Sequence, residues 1–543
     1  NRQSNFFLPE ARLTVMNNLP NFSLPTAGAT RTQNAYSFPS GRPTLLCFVK
    51  EDCPTTRIAM PLLQKAYEVF GENIDVVALA QNGEDDLVLA EEYGLKMPLL
   101  DDSNLTTSFA YDIETVPTLI LASPDGTPLT DFVGFGRDDW RDLYVQMSAI
   151  SDQVPPEIDW NSYPESRPGC GSKSLEPGIF ERLQAESEGS PIRARRVEIG
   201  VHDDVHEFLY EQGLTDGLPV IPPTPERVIR ILEGTKRDPQ ETVAVVPPNL
   251  APVTVEKIAI NSVMAGCKPE YLPVVIAAVE AVCTEEFNAH GVGATTMGAT
   301  PVLIVNGPIR HEIGMNMGLN ALGQGNRANA AIGRALRLVL RNVGGQRPGE
   351  TERSTLGSPL RYTTCFAEWE EISPWAPLHV ERGFNKDESV VTAFAMTGLG
   401  HAIDQTSRDA KSLVGSIGAK MEAIHHPNSH NYGDAILVLC PEHVETISTN
   451  NWSKAEIRDR IQDISSRPAR ELLRSDDIGA GLDPNIFDGP SDPKLDSLIP
   501  KFRSTENIHI VVAGSKAGKF SSVFDGWASG TGGSMPTSKK IRL

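Results

Sequence analysis

The stretch that most constrains the fold is a strand, a cysteine and a helix in direct succession near the start of the chain. Residues 43–50 read PTLLCFVK, an apolar run of strand length, and Cys53 and the amphipathic sequence IAMPLLQKAYEVF follow. A second apolar run covers residues 73–80, a helical segment covers 85–93, and a third strand covers 114–121. Strands that alternate with helices predict an α/β fold with a largely parallel sheet.

Two features of residues 20–150 resemble the thioredoxin fold. The first is the placement of Cys53 between the first long strand and its helix. The second is Val116-Pro117-Thr118, which resembles the cis-proline loop that faces the reactive cysteine in that family. The resemblance implies that residues 1–150 form a thioredoxin-like domain, that Pro117 is cis, and that it faces Cys53. A cysteine near the start of a helix should also have a lowered pKa.

The sequence departs from the thioredoxin pattern at one position. Thioredoxins carry CxxC, whereas here Thr56 stands in the place of the second cysteine. Dithiol exchange needs a second sulfur to release a mixed disulfide. Cys53 alone can still form a mixed disulfide or a sulfenic acid, so a redox role and a degenerate domain kept for docking or assembly both stay open. Cys47, within the first strand, is expected in the core.

Residues 151–196 are rich in Pro, Ser and Gly and are predicted to form a linker. Within this segment Cys170 has a glycine on each side, which leaves its sulfur accessible. Arg167 and Lys173 add nearby positive charge, which favours the thiolate. Cys170 is therefore a candidate catalytic residue; the alternative is a flexible turn with an incidental cysteine.

Residues 197–543 are predicted to form a large, multi-layer α/β domain that is the catalytic part of the chain. Its central stretch places Cys267 and Lys268 directly before Pro269, which suits the first turn of a helix. The helix N-terminus and the lysine should lower the pKa of Cys267, which makes it a second candidate catalytic residue. The alternative is a small buried cysteine that fills a tight turn.

A glycine- and asparagine-rich loop follows the predicted strand 301–305. Ligands of α/β sheets bind beyond the carboxyl ends of strands, and long loops inside compact domains are usually functional. The candidate residues for holding an anionic substrate group are Asn306, Asn326, Arg327 and Lys268. The alternative is a glycine-rich contact between subunits, and the small residues of 293–298 and 328–335 predict a homo-oligomer, most simply a twofold dimer.

Four stretches of residues 197–543 resemble an uncharacterised bacterial family associated with UGSC-motif (seleno)proteins. They are TDGLPVIPPT, VMAGCKPEYLPVVIAAVEA, GNRANAAIGRALRL and VVAGSKAGKF. The resemblance implies no established reaction. Cys170-Gly171-Ser172 matches three positions of that motif, with cysteine in place of selenocysteine, but Lys173 stands where the motif has cysteine.

Composition excludes several classes of partner. The 543 residues carry a net charge of −21, which disfavours nucleic acid and anionic membranes, because both need a basic face. No apolar run is long enough to span a membrane, and the first residues lack the pattern of a signal peptide. The seven cysteines are widely spaced and contain no CxxC pair, which argues against a disulfide scaffold and favours a reducing cytoplasm.

The segment HHPNSHNYGD offers His425, His426, His430 and Asp434 as conceivable metal ligands. Pro427 breaks the spacing of a zinc-binding helix, so a polar loop is the favoured reading and no metal site is predicted. The sequence leaves the cofactor open.

Together these patterns predict a thiol-dependent enzyme, a reductase or a lyase, that acts on a small electrophilic or sulfur-containing, anionic substrate. Cys170, Cys267 and Cys53 are the candidate catalytic residues, and a thiol reductant is a candidate partner. We also expect Cys170 to fold back toward Cys267. Two alternatives stay open: a lyase that holds a soft metal or an organometal between paired thiolates, and a non-catalytic, redox-regulated binding or assembly protein.

Overall fold

The computed structural model of the protein describes residues 18–27, 35–176, 178–197, 199–200 and 203–543. The chain divides into two compact units, Asn1–Val197 and Glu198–Leu543. Residues 1–17, where the sequence shows no signal-peptide pattern, lie outside the described residues. None of the described helices combines the length and the apolar character that crossing a bilayer requires.

The first unit contains eleven short strands and five helices among its described residues. The strands are β1 (Phe22–Pro25), β2 (Ala35–Phe38), β3 (Thr44–Val49), β4 (Asp75–Ala80), β5 (Leu99–Asp101), β6 (Thr115–Val116), β7 (Thr118–Ala122), β8 (Pro128–Val133), β9 (Phe135–Gly136), β10 (Ser166–Arg167) and β11 (Cys170–Gly171). The helices are α1 (Pro54–Phe70), α2 (Leu87–Tyr93), α3 (Thr106–Ala110), α4 (Arg137–Ser151) and α5 (Ile179–Glu188).

Five of these strands form a central mixed sheet in the order β5-β4-β3-β7-β8. The first three run parallel, whereas β7 is antiparallel to both β3 and β8. The central strand β3 is buried along its whole length, because α1 and α4 cover one face of the sheet and the segments around Tyr111 and Phe38 cover the other. This is the arrangement of a thioredoxin-like domain, so the predicted fold class of the first unit is confirmed.

Helix α1 follows β3 after a short turn and begins about one turn before the amphipathic sequence that predicted it. Cys53 is its N-cap and Pro54 its first residue, a position where proline loses no hydrogen bond. Its apolar side chains, among them Leu62 and Leu63, are fully buried against the sheet. Burying one leucine side chain contributes about 2 kcal/mol, so this face fixes the helix and with it the position of Cys53.

The segment predicted as a linker belongs to the first unit instead. β10 pairs with β9, β11 pairs with β6, and the ring of Phe180 on α5 lies 5.7 Å from that of Phe109 on α3. Composition suggested a linker because Gly, Ser and Pro lack large apolar side chains. The segment is ordered because its backbone and small polar side chains find hydrogen-bond partners on the domain.

The second unit contains eleven strands and eleven helices among its described residues. The strands are β12 (Thr242–Val246), β13 (Ala251–Thr254), β14 (Thr300–Asn306), β15 (Cys365–Ala367), β16 (Val390–Ile403), β17 (Gly433–Leu439), β18 (Arg467–Pro468), β19 (Leu498–Ile499), β20 (Ile508–Val512), β21 (Phe520–Ala528) and β22 (Thr537–Lys540). The helices are α6 (Val205–Glu211), α7 (Pro225–Leu232), α8 (Val255–Ala265), α9 (Leu272–Val282), α10 (Ala289–Ala294), α11 (Ile309–Glu312), α12 (Arg327–Asn342), α13 (Leu378–Glu381), α14 (Ala410–Glu422), α15 (Pro441–Ser448) and α16 (Lys454–Ser465).

A seven-stranded mixed sheet forms the core of the second unit. Its order is β15-β14-β16-β21-β17-β20, with β22 also paired to β16. The pairs β14–β15 and β17–β20 are parallel, and the long strand β16 is antiparallel to its neighbours. Helix α9 packs on this sheet and is apolar on nearly all sides, while α14 and α16 pack together. The sheet and its helix layers confirm the predicted α/β class of the second unit.

The small residues predicted to pack closely do so within the unit. Ala328, Ala331 and Ala335 are buried on α12, which packs against α8. A Cβ on Gly333 would lie 2.5 Å from the Thr363 hydroxyl, so the close approach requires glycine. The homo-oligomer stays a prediction that light scattering across micromolar concentrations tests.

Candidate functional site

The candidate redox site is centred on Cys53, at the junction of β3 and α1. Its backbone N–H donates to the Lys50 carbonyl, which closes the turn between strand and helix. Its side chain is fully buried and packs with Val116 and Ile113. The helix start thus points N–H groups of its first turn at a buried sulfur.

The loop between β6 and β7 lies against this sulfur. The Val116–Pro117 peptide bond is cis, as predicted, and the Cys53 Sγ lies 3.3 Å from the Val116 carbonyl oxygen. A protonated thiol donates to that carbonyl. The predicted juxtaposition of Cys53 and the cis-proline loop is therefore confirmed.

Cys170 supplies a second sulfur at the same place. It lies directly opposite Val116 in the antiparallel pair of β11 and β6, and its half-buried side chain packs on the cluster that contains Cys53. The neighbouring Cys170 side chain lowers the pKa of Cys53. Cys170 therefore stands beside Cys53, where the chain has threonine instead of the usual second cysteine.

Hydrogen bonds on both sides of Cys170 hold its strand in place. The Thr55 hydroxyl donates to the Pro168 carbonyl at 2.7 Å, and the Ser172 N–H donates to the Glu114 carbonyl at 2.9 Å. The Gln81 side chain donates to the Ser172 hydroxyl at 2.8 Å and accepts from the Lys173 N–H at 3.0 Å. These contacts make Cys170 a fixed partner, not the mobile one that its flanking glycines suggested.

The backbone before Cys170 packs so closely on β6 that position 169 has to be glycine. A Cβ on Gly169 would lie 2.5 Å from the Val116 carbonyl oxygen, whereas a Cβ on Gly171 would meet no atom within 4 Å. Gly169 is therefore required for the docking of β11, and Gly171 is not.

The pKa of Cys53 lies below its ordinary value. Burial of the sulfur opposes this, but hydrogen bonds from the Cys170 thiol, from the backbone and side chain of Thr56 and from the Thr55 N–H stabilise the thiolate and outweigh burial. The Thr56 hydroxyl is itself buried and makes no hydrogen bond within the described part of the chain, so its O–H is available to a Cys53 thiolate.

The pKa of Cys170 is raised to about 11, and the expectation of an activated thiolate there is wrong. Burial is the first cause, and the hydrogen bond to Cys53 and its charge come next, while Lys50 opposes them. Lys173 does not serve this sulfur, because its ammonium donates to the Asn82 side chain at 2.7 Å. The two pKa values therefore shift in opposite directions, and Cys53 ionises more readily than Cys170.

In the second unit, Cys267 follows the left-handed Gly266 that ends α8 and precedes a single 3-10 turn, Pro269–Tyr271. Burial raises its pKa to about 12, against a nearby Arg327 charge and a hydrogen bond with Ser262. The predicted activation of Cys267 is therefore wrong, because the α-helix begins only at Leu272 and desolvation dominates. Cys170 and Cys267 belong to different units, so their pairing stays a prediction.

Two of the four predicted substrate ligands are committed to the fold. Asn306 is fully buried, and its amide donates to Glu368 at 2.7 Å and to Glu370 at 3.0 Å. Asn326 is the N-cap of α12, accepting from the Asn329 N–H at 3.0 Å, and its amide donates to the Gly314 carbonyl at 2.8 Å. These contacts leave Asn306 and Asn326 little capacity for a substrate.

The other two predicted ligands lie near the Cys267 turn. The Arg327 Nε donates to the Gly266 carbonyl at 2.8 Å, and the side chain lines a surface depression with Ile221 and Thr363. Lys268 is half exposed and lies 3.7 Å from Glu270. The structure thus places both cations at this turn, and their role in substrate binding stays a prediction.

Sequence reasoning missed the environment of Cys440, at the end of β17. The Ser521 hydroxyl lies 2.7 Å from the His443 Nδ1 and 3.7 Å from the Cys440 sulfur. Burial opposes ionisation, but His443 lowers the pKa of Cys440, and Cys440 in turn raises the pKa of His443. The spacing of Cys440, the N-cap of α15, and His443, in the first turn of that helix, is the signal that would have found this pair.

In the histidine-rich loop, His430 and Asp434 are hydrogen-bonded within the fold, whereas the buried Nε2 of His425 makes no hydrogen bond among the described residues. The ring of His430 contacts the Ile499 carbonyl at 3.1 Å and the Pro427 carbonyl at 3.0 Å, and Asp434 accepts from His509 at 2.9 Å. Across the described ranges, no group of three or more His, Cys, Asp or Glu side chains is arranged to hold a metal ion.

The model of the AhpC/TSA family matches residues 15–127, which include Cys53 and the cis-proline loop. The first unit is a thioredoxin-like domain. Its chemistry, as this match indicates, is of the thiol–disulfide redox type. No curated protein matches the chain.

Solved structures similar to the chain cover about a quarter of it. A secreted disulfide oxidoreductase of Mycobacterium tuberculosis, homologous to Escherichia coli DsbE, is 18% identical, with 24% of this chain and 95% of that chain covered and a TM-score of 0.20. StoA from Bacillus subtilis is 21% identical, with 23% and 99% covered and a TM-score of 0.20. The thioredoxin domain of a thiol-disulfide oxidoreductase from Bacteroides vulgatus is 20% identical, with 24% and 94% covered and a TM-score of 0.21.

Proposed function

We propose that the first unit catalyses thiol–disulfide exchange, with Cys53 as the attacking sulfur and Cys170 as the resolving sulfur. The observation that carries this proposal is the position of Cys170 opposite Val116 in the β11–β6 pair, where its side chain packs on the cluster that contains Cys53 beside the cis-proline loop. Dithiol exchange needs two sulfurs that can meet. Cys170 supplies from a later strand what Thr56 cannot supply from α1.

The reaction proceeds in two exchanges. The Cys53 thiolate attacks one sulfur of a substrate disulfide, forms a mixed disulfide, and releases the other sulfur as a thiolate that takes up a proton. Cys170 then loses its proton, its thiolate attacks the Cys53 sulfur, and the second substrate sulfur leaves as a thiol after protonation. The substrate disulfide gains two electrons, and the Cys53–Cys170 pair loses two.

The difference between the pKa values of the two cysteines determines which sulfur reacts first. Cys53 is the stronger acid and reacts first, because the thiolate is the nucleophile. Once Cys53 is bound in a mixed disulfide it no longer bears a charge, so it ceases to raise the pKa of Cys170. Forming the mixed disulfide thereby makes Cys170 a better nucleophile for the second step.

We infer that a substrate approaches Cys53 from the side of Cys170. The Cys53 side chain is fully buried, whereas Cys170 is half exposed and packs over its cluster. A substrate sulfur therefore has to displace the Cys170 side chain to reach Cys53. We infer that the unit accepts an exposed, protruding disulfide, from a small molecule or a flexible peptide, more readily than a recessed one.

Oxidation of the full-length protein tests the assignment. After treatment with oxidised glutathione, peptide mapping without reduction is expected to show a Cys53–Cys170 disulfide that dithiothreitol removes. Cys53→Ser and Cys170→Ser abolish this cross-link, while Cys283→Ser, at a half-buried cysteine of the second unit, leaves it unchanged. Oxidation that leaves Cys170 a free thiol beside a glutathionylated or overoxidised Cys53 would refute the pairing.

Turnover separates an enzyme from a redox-regulated binding protein. With dithiothreitol as the reductant, the protein is expected to speed the reduction of insulin disulfides, and Cys53→Ser to abolish the acceleration. A protein that forms the Cys53–Cys170 disulfide but never turns over would instead be a redox-controlled binding or assembly protein.

A further inference from the structure

A cavity of about 400 Å³ in the second unit is lined by three arginines. Arg337 and Arg341 lie one turn apart on the C-terminal half of α12, and Arg361 comes from a short 3-10 turn that follows it in the sequence. Asp216 and Glu352 are the two carboxylates of the lining. The volume is that of a site for a small molecule.

Positive charge exceeds negative charge in this cavity. Asp216 is already paired, because Arg334 on α12 donates to its two oxygens at 2.9 and 2.8 Å. Glu352 is left to face two cations, with Arg361 at 3.3 Å and Arg337 at 3.8 Å. The three arginines of the lining therefore face only one carboxylate, Glu352, that is not already paired with another arginine.

The crowding of buried positive charge lowers the pKa of Arg337. Burial first, and then the charge of Arg361, lower the pKa of the Arg337 guanidinium to about 10. Burial likewise lowers the pKa of Arg361. Like charges that are buried together need an anion to compensate them.

Several guanidinium donors lack a partner. The Nε and Nη2 of Arg361 and the Nε of Arg341 are buried and, within the described residues, make no hydrogen bond. The Arg361 side chain is only 8% exposed, so bulk water does not satisfy it. Unpaired buried donors are rare in folded proteins, and each one calls for a ligand that the cavity can hold.

The chemistry of the donors identifies the class of ligand. Guanidinium groups bind carboxylates and phosphates through paired N–H donors. We propose that the cavity between α12 and the Gln346–Tyr362 segment binds a small molecule through a doubly charged oxyanion group, a phosphate or a pair of carboxylates. The half-exposed Tyr362 at the cavity wall would cover the uncharged part of such a ligand.

Calorimetry on the full-length protein tests this site, with inorganic phosphate, pyrophosphate and succinate as probes at an ionic strength held constant with KCl. Binding of phosphate or pyrophosphate alone indicates a phosphate ligand, and binding of succinate alone a dicarboxylate; either outcome supports the proposal. A protein that binds none of the three overturns it.

Substitutions assign the binding to these residues. Arg361→Met is expected to weaken binding about tenfold or more, because one buried charged contact is lost. If Arg361→Met does not fold, Arg341→Met is the second variant, since Arg341 makes only one long contact, to the Gly213 carbonyl at 3.5 Å. Arg470→Met, at a half-exposed arginine paired with Asp496, is the matched control and should bind like the unaltered protein.

Glu352 provides a test of opposite sign. Its carboxylate lies 3.3 Å from Arg361 and 3.8 Å from Arg337 and repels a ligand oxyanion, so Glu352→Gln removes a competing charge and should tighten binding. Unchanged affinity in both arginine variants, or weaker binding in Glu352→Gln, would show that the probes bind elsewhere and would refute the site.

Discussion

The Cys170 side chain packs on the cluster that contains Cys53, because Cys170 lies directly opposite Val116 in the β11–β6 pair. The two cysteines are far apart in the sequence, yet their interaction lowers the pKa of Cys53 and raises that of Cys170. Most of the predictions below follow from this pair.

Removing the donor should raise the pKa of Cys53. Cys170→Ala deletes a hydrogen bond that stabilises the thiolate, whereas Cys170→Ser keeps an O–H donor and should shift the pKa less. The pH dependence of Cys53 alkylation, followed by mass spectrometry, gives both values. Identical profiles in the two variants would mean that the Cys170 donor does not control Cys53.

The reciprocal variant should lower the pKa of Cys170. Cys53→Ala removes the interaction and the charge of Cys53 that raise it, and burial and the charge of Asp52 remain to oppose ionisation. Cys170 should therefore be alkylated faster at neutral pH in Cys53→Ala than in the unaltered protein. Slower labelling of Cys170 in this variant would contradict the proposed order of the two exchanges.

Gly169→Ala should undock the strand that carries Cys170. The new Cβ would lie 2.5 Å from the Val116 carbonyl oxygen, a clash of the kind that costs about 1–3 kcal/mol. We expect slower formation of the Cys53–Cys170 disulfide under fixed glutathione conditions. Gly171→Ala meets no atom within 4 Å and is the matched control; equal loss in both variants would argue against a steric cause.

In Thr56→Cys, the new cysteine should replace Cys170 as the disulfide partner of Cys53. The introduced sulfur stands one helical turn after Cys53, in the place of the usual second cysteine, and competes with Cys170. Peptide mapping of the oxidised variant is expected to show Cys53 linked within α1 at the expense of Cys170. If the Cys170 linkage persists at its full level, position 56 is not within reach of the Cys53 sulfur.

In the second unit, Cys440 and not Cys267 should respond to a neighbouring base. His443→Ala removes the imidazole that lowers the pKa of Cys440, so the midpoint of its alkylation profile should move to higher pH. Cys267, with a pKa of about 12, should label slowly at neutral pH in both proteins. Fast labelling of Cys267 at neutral pH would restore the earlier prediction of an activated thiolate there.

Local sequence determined the elements and the framework of the redox site. The apolar run of β3 and the placement of Cys53 near the start of α1 follow from short-range patterns, because burial and helix capping act over a few residues. The cis Pro117 that faces Cys53 followed from the resemblance of Val116-Pro117-Thr118 to the thioredoxin loop. The α/β class of both units follows from the same patterns.

Tertiary structure decided which sulfur partners Cys53 and where unbalanced charge collects. Cys170 lies beside Cys53 because β11 pairs with β6, and that pairing depends on Gly169. From composition alone, the glycines around Cys170 had indicated a flexible segment. Arg337 and Arg361 meet around a cavity because chain segments distant in sequence converge there. Desolvation decides whether a thiol ionises, and burial is a property of the packed chain: it left Cys267 a weak acid despite the lysine beside it.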